Sequence, residues 1–267
     1  MPRPDDVQAA RALLRWYAES GVDEAVLTEP ANLFERAAPQ PAARPALVRS
    51  ARAGVTPIAP APAISVDEAA AQARGLASLC LTVEDLARAV AAFDGCPLKS
   101  GAKTTVFADG VFGAPLLVIG EAPGKEEDQQ GRPFVGRAGQ LLDRMLAAIG
   151  RSRTRDTLIS NVVYWRPPGN RTPTQAEIAV CKPFVERLIA LTRPKAVMLA
   201  GGAAAQALLN VSGIMRARGA WREIELGSGE RVPAMPMFHP AYLLRQPAQK
   251  RLAWRDLQSL AARLTTD

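Results

Sequence analysis

The sequence predicts an α/β protein, a three-layer α/β/α sandwich around a central four-stranded, mainly parallel sheet. Short runs of apolar residues recur along the second half of the chain, and segments with helical periodicity separate them. The runs are apolar at nearly every position, which is typical of strands buried on both faces. The first and third runs end in glycine, where a strand would leave the sheet.

The first 64 residues are predicted to lie outside this sandwich. Helical periodicity over residues 6–19 indicates an N-terminal helical segment, residues 1–36. Residues 37–64 carry six prolines among alanine and arginine, which is typical of a semi-extended linker. Residues 65–267 form the remaining predicted domain.

Strands and helices alternate along this third unit. The predicted elements are helices 65–79 and 82–93, strand 116–120, helix 136–149, strand 157–163, helix 174–191, strand 196–200, helix 203–209 and strand 233–238. Ser65 and Glu68 form a helix-start pattern at the first of these. Because parallel α/β sheets bind ligands at the carboxyl ends of their strands, the residues at those ends are the candidates for chemistry.

Composition restricts the class of partner. The chain has 33 lysines and arginines against 26 acidic residues, which gives a net charge of +7 and an isoelectric point near 9.8. Such a balance favours polyanionic partners, nucleic acid first, although coding bias toward arginine would give the same number. Three cysteines are too few for a disulfide framework and fit a reducing cytoplasm. We expect no membrane association, because no apolar run approaches the ~18 residues of a spanning helix.

The first motif follows the first strand. Residues 120–128 read Gly-Glu-Ala-Pro-Gly-Lys-Glu-Glu-Asp, and the small residues would let a ligand approach the backbone. Glu121 is expected at the mouth of the sheet. A triphosphate-binding loop is disfavoured, because the spacing is one residue short and Glu126 replaces the metal-binding hydroxyl. A plain turn with a solvated Glu121 stays open as the alternative.

The second motif places an aromatic ring on a loop. Residues 131–136 read Gly-Arg-Pro-Phe-Val-Gly and lead into the next predicted helix. Proline and two glycines around Phe134 give a stiff aromatic on a permissive backbone. Taken alone, the pattern favours a core side chain over a stacking platform.

The third motif begins with a polar residue in an apolar strand. Asn161 must find hydrogen-bond partners if it is buried, and an amide with two donors and one acceptor is suited to a base edge. The loop that follows, Arg166-Pro-Pro-Gly-Asn-Arg171, is stiff and cationic, as a phosphate-binding loop would be. A strand-end cap and an ordinary solvated turn are the alternatives.

The fourth motif holds the only histidine of the chain, His239. It follows the last predicted strand and precedes a proline. Leu243 and Leu244, which we expect to be exposed, are followed by Arg245. Apolar side chains beside an arginine suit a wedge into a base stack, but they equally suit the first turn of a buried helix.

In this order the four motifs resemble those of the family-4 uracil-DNA glycosylases. The motifs are Gly-Glu-Ala-Pro-Gly, Gly-Arg-Pro-Phe-Val-Gly, Asn-Val-Val-x-x-Arg-Pro-Pro-Gly-Asn-Arg-x-Pro-Thr and His-Pro-Ala-Tyr-Leu-Leu-Arg. The resemblance covers residues 92–265 and implies a uracil-DNA glycosylase-like fold. It also implies the activity: hydrolysis of the N-glycosidic bond of flipped-out deoxyuridine in DNA, leaving an abasic site for base excision repair.

The resemblance assigns roles to residues of each motif. Glu121 would orient the attacking water, and His239 would hydrogen-bond the departing uracil. The residues implied to bind uracil are Gly120, Ala122, Phe134, Asn161 and His239. The residues implied to bind DNA are Arg166, Pro168, Asn170, Arg171, Leu243, Leu244 and Arg245. The implied partner is uracil-containing DNA, single- or double-stranded, with a monomer as the default state.

The resemblance also implies a four-iron, four-sulfur cluster on four cysteines. In this chain those positions are Phe93, Cys96, Trp165 and Cys181, so two are aromatic. Two thiolates cannot hold such a cluster in the usual way, and the remaining cysteine, Cys80, lies sixteen residues before Cys96. We therefore expect no metal and no cofactor, with Phe93 and Trp165 filling the volume, and a [4Fe-4S] cluster stays open only as what the resemblance implies.

Other functions stay open from the sequence. A uracil- or abasic-site-binding repair protein without turnover would carry most of the same motifs. A module of a phage-type DNA polymerase is disfavoured, because little chain follows the last predicted helix. A covalent histidine mechanism is disfavoured too, because residues 129–137 contain no histidine.

Overall fold

The structure, a computed structural model, describes residues 65–265. The predicted N-terminal segment 1–36, with its helix over 6–19, and the predicted linker 37–64 lie outside these residues. They stay predictions, as do the domain boundaries. No helix in the described range is long and apolar enough to cross a membrane.

Residues 65–265 form nine α-helices and six β-strands. The helices are α1 Val66–Leu79, α2 Val83–Ala92, α3 Lys125–Gln130, α4 Arg137–Ala148, α5 Gln175–Thr192, α6 Gly202–Leu209, α7 Ile214–Ala217, α8 Pro240–Arg245 and α9 Lys250–Thr265. The strands are β1 Ala108–Gly110, β2 Leu116–Gly120, β3 Thr157–Asn161, β4 Ala196–Ala200, β5 Arg222–Glu225 and β6 Arg231–Met237. Each predicted helix and strand of residues 65–265 is present, with ends shifted by a few residues.

The strands of this range form one mixed sheet in the order β1-β3-β2-β4-β6-β5. The central four are parallel to their neighbours, and β1 and β5 pair antiparallel at the edges. The α/β class is confirmed, but the predicted count of four strands is wrong. The missed edge strands are short and partly exposed, so they lack the continuous apolar run by which a buried strand is found.

Two cores lie on opposite faces of the sheet. Along β2, Leu117 and Ile119 pack into one core, and Leu116 and Val118 pack into the other, because successive strand residues point to opposite faces. Helices α1, α2, α5 and α6 cover the first face, whereas α4, α8 and α9 cover the second. The predicted three-layer sandwich is thereby confirmed.

The sheet register places the motifs side by side. Gly120 at the end of β2 pairs with Asn161 at the end of β3. His239 follows β6 and lies beside the end of β4, where an added Cβ on Gly201 would be 3.1 Å from the His239 Cβ. The carboxyl ends of these strands form the edge at which α/β sheets bind ligands.

Candidate active site

The four motif loops enclose one cavity of about 750 Å³ at the carboxyl edge of the sheet. Its walls come from every motif and include Glu121, Ala122, Phe134, Asn170, His239 and Arg245. Gly120 and Asn161 do not line the cavity themselves, but a Cβ on Gly120 would lie 2.5 Å from both the Asn161 Oδ1 and the cavity-lining Phe134 ring. Each of the four motifs therefore contributes residues to this cavity, although the predicted site residues Arg166, Pro168 and Leu243 are not on its wall.

Phe134 sits in an unusual backbone conformation at the cavity wall. Its φ is +53°, in the left-handed region that residues other than glycine rarely adopt. The ring is 6% exposed and lies tilted by 30° against His239, with ring centroids 5.5 Å apart. The ring is thus both packed and accessible from the cavity, which combines the two alternatives weighed from the sequence.

Asn161 carries a buried amide without partners. The residue is 1% exposed, and neither Nδ2 nor Oδ1 has a hydrogen-bond partner among residues 65–265. Thr157 and Tyr164 also hold buried oxygens without a partner in this range, but of the three only Asn161 meets, together with the Phe134 ring, a Cβ placed on Gly120. Because leaving such groups unpaired destabilises a protein, an unpaired amide beside a cavity indicates a ligand edge.

His239 is held as a neutral hydrogen-bond donor. Its Nδ1 accepts a hydrogen bond of 3.1 Å from the Ala241 backbone N–H, which assigns the proton of the neutral ring to Nε2. Burial, aided by the charge of Arg245 and opposed by that of Glu127, lowers the pKa of His239 to about 4. The imidazole is therefore uncharged near neutral pH.

Glu121 supplies a carboxylate on the cavity wall. The side chain is half-buried, and it makes no hydrogen bond or ion pair with the part of the chain that the structure describes. Its neighbour Ala122 is also half-buried and lines the same wall. A carboxylate with open hydrogen-bonding capacity can hold a water molecule or stabilise a nearby positive charge.

The cationic loop lies at the outer rim. Pro168 and Asn170 are exposed, and Asn170 Oδ1 accepts a 2.7 Å hydrogen bond from Arg166 Nε. Arg171 donates to both carboxylate oxygens of Glu177, at 2.9 and 2.6 Å. The loop is therefore shaped by its own side chains and presents its outer edge to solvent.

The expectation that Leu243 is exposed is wrong. Leu243 is 1% exposed and belongs to the core between the sheet, α4 and α9, because it faces inward on the short helix α8. Leu244 is half-buried on the cavity wall, and Arg245 is exposed beside it. Of the two leucines, only Leu244 reaches the cavity.

Comparison with known proteins places the chain in a family. A family model described as the uracil DNA glycosylase superfamily matches residues 107–258. A type-4 uracil-DNA glycosylase of Pyrobaculum aerophilum is 37% identical over 169 residues, which are 61% of this chain and 85% of the relative. The chain belongs to the type-4 uracil-DNA glycosylase family.

Two further type-4 uracil-DNA glycosylases are similar to this chain. The protein of Archaeoglobus fulgidus is 36% identical over 62% of this chain and 85% of its own length. That of Thermotoga maritima is 36% identical over 61% of this chain and 84% of its own length. The predicted family and the predicted enzyme class are confirmed.

The type-4 cluster positions do not fit an iron–sulfur cluster in this chain. Cys96 and Cys181 touch, and the Cys96 thiol and burial together hold the pKa of Cys181 well above its usual range. Phe93 packs edge-on against Phe184 with ring centroids 5.2 Å apart, and Trp165 is 1% exposed. Among residues 65–265 no group of three or more ligating side chains could hold a metal ion.

Sequence reasoning missed two residues that contact the loops of this candidate site, Glu127 and Arg153. Glu127 accepts backbone hydrogen bonds from both motif loops, and Arg153 donates to carbonyls of the Phe134 loop. Glu127 lies three residues after Gly124, the spacing of a helix capping box, which could have revealed it. No local pattern could have linked Arg153 to a loop about 20 residues away.

Proposed function

We propose that the cavity binds a deoxyuridine flipped out of DNA, and that the enzyme hydrolyses its N-glycosidic bond and leaves an abasic site. The observation that carries this proposal is the Asn161 amide, which is buried near the Phe134 ring and has no hydrogen-bond partner within residues 65–265. An aromatic face and an amide edge are what a flipped pyrimidine needs for stacking and for hydrogen bonding.

Recognition of uracil follows from the amide. Asn161 Nδ2 would donate to uracil O4, and Oδ1 would accept from uracil N3–H. Cytosine presents an amino group and an unprotonated N3 at the same edge, so both hydrogen bonds would be inverted. A side chain at Gly120 would collide with this amide and with the Phe134 ring, and Ala122 places only a methyl group on the cavity wall beside the base.

The bond breaks toward an oxocarbenium-like sugar. The electron pair of the C1′–N1 bond leaves with uracil, and the Nε2–H of neutral His239 donates to O2, where negative charge collects. Glu121 stabilises the sugar cation and orients a water molecule whose oxygen bonds to C1′. The water proton passes to Glu121 and then to solvent, and the uracil anion takes up a proton from solvent once it is released.

DNA would lie across the outer rim, whether single- or double-stranded. Arg166, Asn170 and Arg171 on their stiff loop would contact phosphates, with Pro168 shaping the turn. Leu244, and not the buried Leu243, would enter the gap left by the flipped nucleotide with Arg245 beside it. A monomer suffices, because one chain supplies every proposed group.

We also propose that the protein acts in the cytoplasm and that it works without an iron–sulfur cluster. Phe93 and Trp165 pack where two cluster ligands would stand, and well-packed apolar side chains can tie loops together as a cluster does. Iron and sulfide analysis of the purified protein tests this. We expect less than about 0.1 iron per chain against the four of a full cluster, and stoichiometric iron would reject the proposal.

The activity is tested with uracil-containing oligonucleotides. We expect single- and double-stranded substrates to give alkali-labile abasic sites and free uracil, with no release from cytosine. Glu121→Gln should lower the release rate by about 10²–10³-fold while DNA binding is kept. Tight binding of uracil-DNA without any abasic product would instead support the non-catalytic binding protein.

A further inference from the structure

We propose that Glu127 and Arg153 are positioning residues that together clamp the Phe134 loop in the conformation that stacks on uracil. This inference rests on the proposed function of the cavity. Neither side chain is proposed to touch the base. Each acts through the backbone on one side of Phe134, and the two sets of contacts hold that residue from both ends.

Glu127 holds the backbone that follows Phe134. Its Oε1 accepts hydrogen bonds of 2.9 Å from the N–H groups of both Val135 and Gly136. Its Oε2 accepts a 3.1 Å hydrogen bond from the N–H of Gly124, on the loop that carries Glu121. One carboxylate therefore joins the loop of the proposed base-stacking ring to the loop of the proposed catalytic carboxylate.

Arg153 holds the backbone that precedes and includes Phe134. Its guanidinium donates to the carbonyl of Phe134 at 2.7 Å and to that of Pro133 at 3.0 Å. The same group pairs with Asp109 at 2.9 Å and with Asp143 at 2.8 Å. The side chain is 10% exposed, so its charge is both compensated and fixed in direction.

The loop needs such a clamp because its backbone is strained. A phenylalanine at φ +53° persists only where its surroundings determine the conformation. Helix α4 accommodates the loop as well, because a Cβ on Gly139 would collide with the Phe134 carbonyl. Without the clamp, relaxation of the loop would move the ring away from the Asn161 amide.

The expected consequence is a loss of rate with little loss of DNA affinity. A ring displaced by about 1 Å no longer stacks on a base held by Asn161, and such displacements cost on the order of 10²-fold in rate. DNA affinity should hardly change, because it depends on the rim residues and their phosphate contacts.

The experiment compares Glu127→Gln and Arg153→Lys with Asp128→Asn as the matched control. In the unaltered chain, backbone N–H groups donate to the Glu127 carboxylate, and in Glu127→Gln the side-chain NH2 would face one of these donors instead of an oxygen. In Arg153→Lys the planar guanidinium, which donates to two carbonyls at once, is lost. Asp128 is also buried and also accepts backbone hydrogen bonds, at 2.8 Å from Lys103 and 3.1 Å from Thr104. Its contacts lie away from the cavity wall, so it reports the cost of a purely structural carboxylate.

Two readouts are measured on the full chain. Amide hydrogen exchange in residues 132–136 should accelerate about tenfold or more in the two clamp variants and not in Asp128→Asn. The single-turnover rate of uracil release should fall about tenfold or more in the clamp variants, with DNA affinity within about threefold.

A double-mutant cycle distinguishes positioning from general damage. In a Phe134→Ala background, Glu127→Gln should lower the rate by less than about threefold, because the ring that it positions is gone. Equal rate losses in both backgrounds, or unchanged exchange in residues 132–136, would overturn the clamp. If the unaltered chain releases no uracil, the proposed function is rejected but the clamp is not, because amide hydrogen exchange in residues 132–136 tests the clamp independently.

Discussion

Gly120 and Asn161 face each other across neighbouring strands so closely that a side chain on the glycine would meet the amide. A Cβ on Gly120 would lie 2.5 Å from Asn161 Oδ1 and 2.5 Å from the Phe134 ring. Amide and ring are therefore within about 5 Å of each other. The close approach of the amide and the ring depends on the absence of a side chain at this strand end.

Gly120→Ala should remove most of the activity. The added methyl group must displace either the amide or the ring, and we expect uracil release to fall on the order of 10²-fold or more. Gly75→Ala serves as the control, because a Cβ there meets nothing within 4 Å on helix α1 and should leave the rate unchanged. A near-normal rate for Gly120→Ala would contradict the proposed base edge.

Asn161→Ala should separate activity from stability. The amide has no hydrogen-bond partner among residues 65–265, so the free energy of unfolding should stay the same or rise, while uracil release falls about 10²-fold or more. Ser160→Ala is the comparison, because Ser160 Oγ donates to the Phe107 carbonyl at 2.7 Å. That variant should lose about 1 kcal/mol of stability and keep its rate. Thermal unfolding and a rate assay on both proteins check this.

The four central strands could be predicted from the sequence because they are buried on both faces over most or all of their length. The run of β2 is apolar on every residue up to Gly120, and that pattern admits few other structures. The edge strand β5 reads Arg-Glu-Ile-Glu, with only Ile224 buried. Its pairing is decided by β6 and not by its own residues, so no local pattern could reveal it.

The candidate site was predictable where its residues lie at strand ends. Asn161 and His239 followed from their places after apolar runs. Leu243 did not, because two adjacent leucines on a short helix look alike in sequence and only packing decides which one faces inward. Glu127 and Arg153 act through backbone groups of another loop, and contacts at such separations are set by the fold.

The single histidine allows a direct test of its charge state. We expect NMR titration to give a pKa near 4 for His239, because burial disfavours the charged ring, and to find the proton of the neutral ring on Nε2. A free histidine titrates near ~6.5, so a value at that pH would contradict the neutral donor. The NMR spectrum of His239→Gln, which lacks the imidazole signals, confirms their assignment.

The same pKa predicts how stability depends on pH. Between pH ~6.5 and ~4 the unfolded chain binds a proton at position 239 that the folded chain does not, so His239 lowers stability as the pH falls through this window. The loss approaches a few kcal/mol at its lower end. Relative to His239→Gln, the unaltered chain should therefore show a steeper loss of stability on acidification, measured by denaturant unfolding across the window. Parallel pH profiles for the two proteins would be inconsistent with a buried neutral imidazole.

Trp165→Ala should destabilise the fold without acting on the chemistry. The indole is 1% exposed, and its Nε1–H donates to Thr105 Oγ1 at 3.0 Å, so truncation removes a large packed group and a hydrogen bond. We expect the free energy of unfolding to fall by about 3–5 kcal/mol.

Trp165→Phe, which keeps most of the volume, should lose about 1–2 kcal/mol. The rate per folded molecule should stay within about threefold in both variants, because position 165 is not on the cavity wall. A small effect of Trp165→Ala on stability would show that this aromatic core does not replace the cluster as a structural tie.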